Sequence, residues 1–122
     1  SAAVALTNIS LLQDPSLGLL DRARSLGHEA KEYIQGLNSP FIGEVRGLGL
    51  MIGIELVQDR ATKEPLSHEK IGELMGYVLS HGVMMVPCGR YGNVMRVMPS
   101  LTIPRSLLFK ALDIFGRGLS TL

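Results

Sequence analysis

The sequence predicts an α+β fold: a small antiparallel or mixed β-sheet with helices packed on one face, in the order ααββαββα. Three observations predict it. Apolar stripes with steps of three and four residues recur near the start, middle and end of the chain, which is helical spacing. Four short apolar runs lie between them, and Leu50, Ile52, Ile54 and Leu56 alternate with period two. The runs are short and joined by tight loops, so they suit a helix-covered sheet better than a doubly wound one. At 122 residues the chain fits one domain, with no internal repeat, low-complexity stretch or interior linker.

Residues 2–13 read as the end of a longer helix. Asp14-Pro15 then predicts a restart, with Asp14 as N-cap and Pro15 at the first helical position. The stripe Leu19, Ala23, Leu26, Ala30, Tyr33, Leu37 carries the second helix until Asn38-Ser-Pro40 stops it. Glu44-Val-Arg46 predicts a short strand, Gly47-Leu-Gly49 a turn or bulge, and Leu50 to Val57 a longer strand. Gln58 to Pro65 is polar and reads as a surface loop. Ser67 caps a third helix bearing Ile71, Leu74, Met75 and Val78, and Gly82 after His81 suits a left-handed C-cap. Val83 to Val86 predicts a strand, Pro87 to Gly92 a loop, and Val94 to Met98 another strand. Pro104 opens a last helix with Leu107, Leu108, Ala111, Leu112 and Phe115 inward.

Hydrophobic residues make up 46% of the chain and charged ones 19%, enough for a core and too few charges for disorder. The net charge is +1, from 12 basic and 11 acidic residues, which gives no electrostatic support to a nucleic-acid or anionic-membrane partner. No apolar run approaches the ~20 residues a membrane-spanning helix needs. The N-terminus lacks the basic-then-apolar pattern of a signal peptide. The single cysteine, Cys88, has no internal disulfide partner, and a cytoplasmic location is expected. Ser-Ala-Ala-Val opens the chain in mid-helix style without an initiator methionine, so the expectation is a fragment of a longer protein.

The chemistry narrows quickly. Gly47, Gly49 and Gly53 miss the dinucleotide-loop spacing and sit between strands; they predict a turn, then a close backbone approach at Gly53. His28, His68 and His81 share no metal spacing. Cys88 follows a proline in a glycine-rich loop, where Arg90 is the one neighbour able to lower its pKa. Lys31, Lys63, Lys70 and Lys110 all read as solvated, so none stands as a Schiff-base candidate. Arg46 and Glu55 predict a cross-strand ion pair. What remains is Arg96, set among Val94, Met95, Val97 and Met98 in what reads as a buried strand. A buried arginine demands a partner, and its fork matches a carboxylate bidentately. Either Glu55 or Glu44 supplies that carboxylate, or a ligand does.

A resemblance bears on this choice. Val45-Arg-Gly-Leu-Gly-Leu-Met-Ile-Gly-Ile-Glu55, the loop Asp59 to Pro65, His81-Gly-Val83, Asn93-Val-Met-Arg96 and Leu101-Thr-Ile103 occur in order and at the right spacing. Together they make the chain resemble, nearly end to end, the C-terminal small domain of class III aminotransferases. These are pyridoxal-phosphate enzymes of the aspartate-aminotransferase fold type. Cys88 to Asn93 is most similar to 4-aminobutyrate and other ω-amino-acid aminotransferases, while related decarboxylases and aminomutases share much of the same small domain. The resemblance implies that residues 1–14 end an interdomain helix and that 15–122 form the small domain. It implies that Arg96 holds the α-carboxylate of the substrate while an amino group passes through the cofactor to a 2-oxo acid such as 2-oxoglutarate. The pyridoxal 5'-phosphate, its lysine and its phosphate cradle would belong to a large domain outside this chain, which alone would be inactive. The intact enzyme is expected to be a homodimer. Pro104-Arg105 departs from the family's usual Thr or Ser helix cap. Read without the resemblance, the chain remains open to a stand-alone, non-catalytic α+β module binding a small carboxylate at Arg96, or to a structural dimerisation domain.

Overall fold

The computed structural model describes residues 1–122. Its elements are α1 (Ala2–Gln13), α2 (Leu19–Gly36), β1 (Ile42–Leu48), β2 (Met51–Asp59), β3 (Glu64–Pro65), α3 (His68–Ser80), β4 (Val86–Cys88), β5 (Val94–Val97) and α4 (Arg105–Ser120). The strands lie in the order β1-β2-β5-β4, every pairing antiparallel, with β3 added to the end of β2. The α+β class with helices on one face therefore stands. One strand is added to the expected order: part of the Gln58–Pro65 loop forms β3, where Glu64 and Pro65 pair with Asp59 and Val57. A two-residue strand has too little periodicity to show in a sequence.

Period-two alternation decides which face of the sheet is buried. Ile52, Ile54 and Leu56 of β2 and Met95 and Val97 of β5 point to the helices and are buried. Ala23, Leu26, Ala30 and Ile34 of α2 meet them, as do Ile71, Leu74 and Val78 of α3 and Leu108, Leu112, Phe115 and Leu119 of α4. Leu107, expected inward, lies exposed on α4. α1 buries none of its residues and leaves Val4, Leu6, Ile9 and Leu11 open.

Local chemistry explains most boundaries. Ser67 accepts a hydrogen bond from the Lys70 amide and starts α3. Gly82, at φ 80°, ends it: the Gly82 amide donates to the Leu79 carbonyl and the Val83 amide to that of Val78. That is the double C-terminal bond that a left-handed glycine permits. Asp14 differs from expectation. It follows α1, and its side chain accepts from both the amide and the hydroxyl of Ser16, so it caps no second helix. One helical turn does begin at Pro15, but Gly18 at φ 58° interrupts it and α2 starts at Leu19. The strand expected at Val83–Val86 lies at Val86–Cys88, because pairing with β5 runs from Val86–Arg96 to Cys88–Val94. Pro87 is tolerated there since β4 is the sheet edge.

The β1–β2 hairpin turns at Gly49 and Leu50, with Leu48 opposite Met51. α2 presses directly on this turn: a Cβ on Gly27 would stand 1.9 Å from the Gly49 carbonyl oxygen. Lys31 Nζ reinforces the contact by donating to the Gly47 carbonyl at 2.9 Å. The close backbone approach expected at Gly53 is thus found at Gly27 and Gly49, and side chains of Val94 and Arg46 are what flank Gly53. Arg22 ties α2 to the segment before α4 by donating to the carbonyls of Leu101 and Ile103. Pro104 caps α4 without a side-chain bond; Arg105 instead pairs with Glu29 of α2 at 2.6 Å and lies over the Phe109 ring.

Candidate functional site

The helix-free face of the sheet carries the chain's organised charge. Antiparallel register lines residues up in rows across it. One row runs Arg46, Gly53, Arg96, Val86; the next runs Glu44, Glu55, Val94, Cys88. Adjacent strands lie ~4.8 Å apart, so the two arginines stand roughly 10 Å apart with bare Gly53 between them.

Arg46 is fully engaged. Its Nη1 donates to Glu44 Oε2 at 2.6 Å and to Glu55 Oε2 at 2.7 Å. The predicted cross-strand pair is present, with a second carboxylate added. Chiefly the Glu55 bond raises the pKa of Arg46 above the ordinary guanidinium value. Arg46 keeps its charge at any physiological pH.

Arg96 is the opposite case. The expectation of a buried arginine is corrected: Arg96 is exposed, while Met95 and Val97 beside it are buried. Alternation is the reason, since Met95 and Val97 take the core face and turn Arg96 outward. The sequence masked this, because Val94, on the same face as Arg96, is apolar and buried like Met95 and Val97 and breaks the alternation. Neither internal acid claims Arg96, since Glu44 and Glu55 both go to Arg46. The Arg96 side chain makes no hydrogen bond, ion pair or aromatic stack. The other seven arginines each have one: Arg22 and Arg60 bond carbonyls, Arg24, Arg46, Arg105 and Arg117 pair with acids, and Arg90 lies over Tyr91.

Beyond the end of β4 the sheet edge opens into a groove of about 500 Å³. Val83, Met85, Val97, Ile103 and Leu107 give it apolar walls, and exposed Arg96, Lys110 and His81 put basic groups around it. The groove went unseen in the sequence because it lies between segments that are only brought together by folding. Asn93 anchors the start of β5. It is buried, and its Nδ2 donates to the Leu56 carbonyl at 2.7 Å. The rigid strand carries Arg96 three residues further on.

The lysines are placed otherwise. Lys31 bonds Gly47, Lys70 bonds the Gln58 side chain and lies over Phe41, and Lys63 and Lys110 are exposed. No group of three metal-ligating side chains forms. Cys88 is half-buried on the edge strand. No helix is long and apolar enough to cross a membrane. What the face can do is bind an anion: one free planar guanidinium on a braced strand, bordered by apolar surface, suits a carboxylate on a short carbon chain.

Comparison with known proteins bears directly on that chemistry. The family model for class-III aminotransferases matches residues 1–119. A Bacillus subtilis protein named probable 4-aminobutyrate aminotransferase is 34% identical over 119 residues, covering 96% of this chain and 27% of that protein. The 5-aminovalerate aminotransferase of Pseudomonas putida is 34% identical over 116 residues, covering 93% and 26%. A crystal structure of a Bacillus anthracis aminotransferase superposes with a TM-score of 0.86 at 26% identity, over 98% of this chain and 28% of that one. The chain thus spans about a quarter of the length of the proteins it matches. In sequence over nearly its whole length, and in fold, the chain belongs to the class III aminotransferases.

Proposed function

We propose that these 122 residues form the C-terminal small domain of a pyridoxal-phosphate-dependent aminotransferase that moves an amino group from an ω-amino acid to a 2-oxo acid such as 2-oxoglutarate. Arg96 is the residue this domain brings to the substrate. The observation that carries the reading is its freedom: an exposed guanidinium on a central strand, with both nearby acids already held by Arg46. A fork-shaped donor on a rigid strand fixes a planar carboxylate and thereby orients the carbon next to it. The names of the relatives, 4-aminobutyrate and 5-aminovalerate aminotransferases, support the ω-amino-acid class.

Class III aminotransferases use pyridoxal phosphate, which supplies the electron sink of the reaction when bound. The residues of this chain do not fit a site for it. Two of the four lysines are spent on protein acceptors and the other two stand exposed on the surface. The cofactor, its lysine and its phosphate contacts are therefore assigned to a large domain of the same protein, with α1 as the last part of the connecting helix. The intact protein is read as a cytoplasmic homodimer, and the isolated domain as inactive.

The test is steady-state kinetics of the full-length protein carrying Arg96→Lys or Arg96→Gln. Losing a charge-assisted bidentate contact should raise KM for the 2-oxo acid at least about tenfold. An unchanged KM and kcat for that substrate would remove Arg96 from this role.

A further inference from the structure

We infer that Arg46 is a positioning residue that keeps Arg96 free by occupying Glu55. The inference rests on the substrate-binding reading of Arg96 and goes beyond it, because it explains why a strand flanked by acids presents an unpaired arginine. Glu55 of β2 has an arginine diagonally placed on each side. Arg46 of β1 and Arg96 of β5 both stand opposite Gly53, one row from Glu55. Diagonal neighbours in a sheet lie about 7–8 Å apart at Cα, within reach of long side chains. The 2.7 Å bond from Arg46 to Glu55 demonstrates that reach on one side. On the other side Val94, opposite Glu55, leans over Gly53, with its Cγ1 3.3 Å from where a Cβ on Gly53 would stand, and Arg96 must reach Glu55 over it. Gly53 puts no side chain between Glu55 and Arg96, and a Cβ there would meet Val94 and Arg46 but no atom of Arg96. Arg96 nevertheless forms no ion pair with Glu55, and it is among the residues around the groove beyond β4.

Glu55 thus has two possible partners and takes the one on β1, where Glu44 stands directly opposite and shares the same guanidinium nitrogen. Two carboxylates facing each other repel unless a cation lies between them, which ties Arg46 to this position more firmly than one ion pair would. With Arg46 removed, Glu55 faces Glu44 uncompensated, and its nearest relief is Arg96. An internal carboxylate would then compete with the substrate's carboxylate for the same guanidinium.

The experiment uses the full-length protein, with KM for the 2-oxo acid as readout and Tm as the check on folding. Arg46→Gln should raise KM roughly two- to fivefold, the competition expected of one partly exposed ion pair. Adding Glu55→Gln should return KM to the unmodified value, since the competitor is gone. Adding Glu44→Gln instead should not, although the net charge is the same, because Glu44 lies on β1, two strands from β5. A purely structural role for Arg46 would lower Tm and leave KM elevated in both double variants; that result overturns the inference. So does an Arg46→Gln enzyme with unchanged KM while Arg96→Gln raises it. If Arg96→Gln leaves KM unchanged, it is the binding role of Arg96 that fails. Should Arg46→Gln not fold, Arg46→Lys keeps one charge but bonds the two carboxylates less well, and Glu55→Gln should rescue its smaller rise in KM in the same way.

Discussion

Replacing glycine by alanine should change stability in opposite directions at two helical positions of this chain. Gly72 lies inside α3, and a Cβ there meets nothing within 4 Å. Alanine should stabilise it by about 0.5–1 kcal/mol, through higher helix propensity and a less flexible unfolded chain. Gly27 lies inside α2 and gains the same propensity term, but its Cβ would sit 1.9 Å from the Gly49 carbonyl oxygen, and real Cβ contacts do not go below 3.0 Å. The helix and the hairpin turn must therefore separate by about 1.1 Å, the difference of those two distances. The obstacle is backbone on both sides, so no rotamer change relieves it. The separation also stretches the Lys31–Gly47 bond and loosens Ala23, Leu26 and Ala30 against the sheet. Overpacking of this kind costs about 1–3 kcal/mol, more than the propensity gain of about 1 kcal/mol returns. The net loss should reach up to about 2 kcal/mol, or about 4 °C of Tm per kcal/mol for a chain of this size. Urea unfolding followed by far-ultraviolet circular dichroism reads both variants. A Gly27→Ala chain as stable as the unsubstituted one, or a Gly72→Ala chain that loses stability, would refute the reasoning.

Two further outcomes follow from side chains already described. Asn93→Ala should cost about 1–2 kcal/mol in the same unfolding assay, through the lost bond to the Leu56 carbonyl. Asn93→Asp should cost more at neutral pH, because it sets a buried carboxylate against that carbonyl, and part of the loss should return in acid when the carboxyl can donate; equal costs for the two variants would contradict this. Asp14 titrates below the ordinary aspartate range, chiefly because its carboxylate accepts the Ser16 hydroxyl and then the Ser16 amide. A lowered folded pKa means the turn is supported above the unfolded value and loses that support as pH falls through the folded one. The Ser16 amide resonance should therefore shift in acid with a midpoint below the ordinary aspartate value, and a midpoint at or above that value would count against the bond.

The residues that make the core and the caps were legible in the sequence, because each rests on a local rule. Steps of three and four placed Ala23, Leu26 and Ala30 inward on α2. Period two placed Ile52, Ile54 and Leu56 on one face of β2. Ser67 and Gly82 bounded α3 through bonds that span at most five residues. Where a competing local bond existed, sequence reasoning chose wrongly: Asp14 had both a helix start and Ser16 within reach, and the shorter bond won. The strand Val86–Cys88 was misplaced for another reason, since its bounds are decided by which β5 residues it pairs with and not by its own composition.

The sequence by itself also singled out Arg96 as a group in need of a partner, internal or external, and its motifs pointed to the aminotransferase family. Only the tertiary structure decided that Arg96 has no internal partner. On paper Glu44 and Glu55 could serve Arg96 as well as Arg46, because charge carries no record of register. Antiparallel pairing put Arg46 beside both acids and left Arg96 with none. The same holds for Gly27 against Gly49 and for the groove beside β4: contacts between residues far apart in the chain arise from how the elements pack, and no local pattern encodes them.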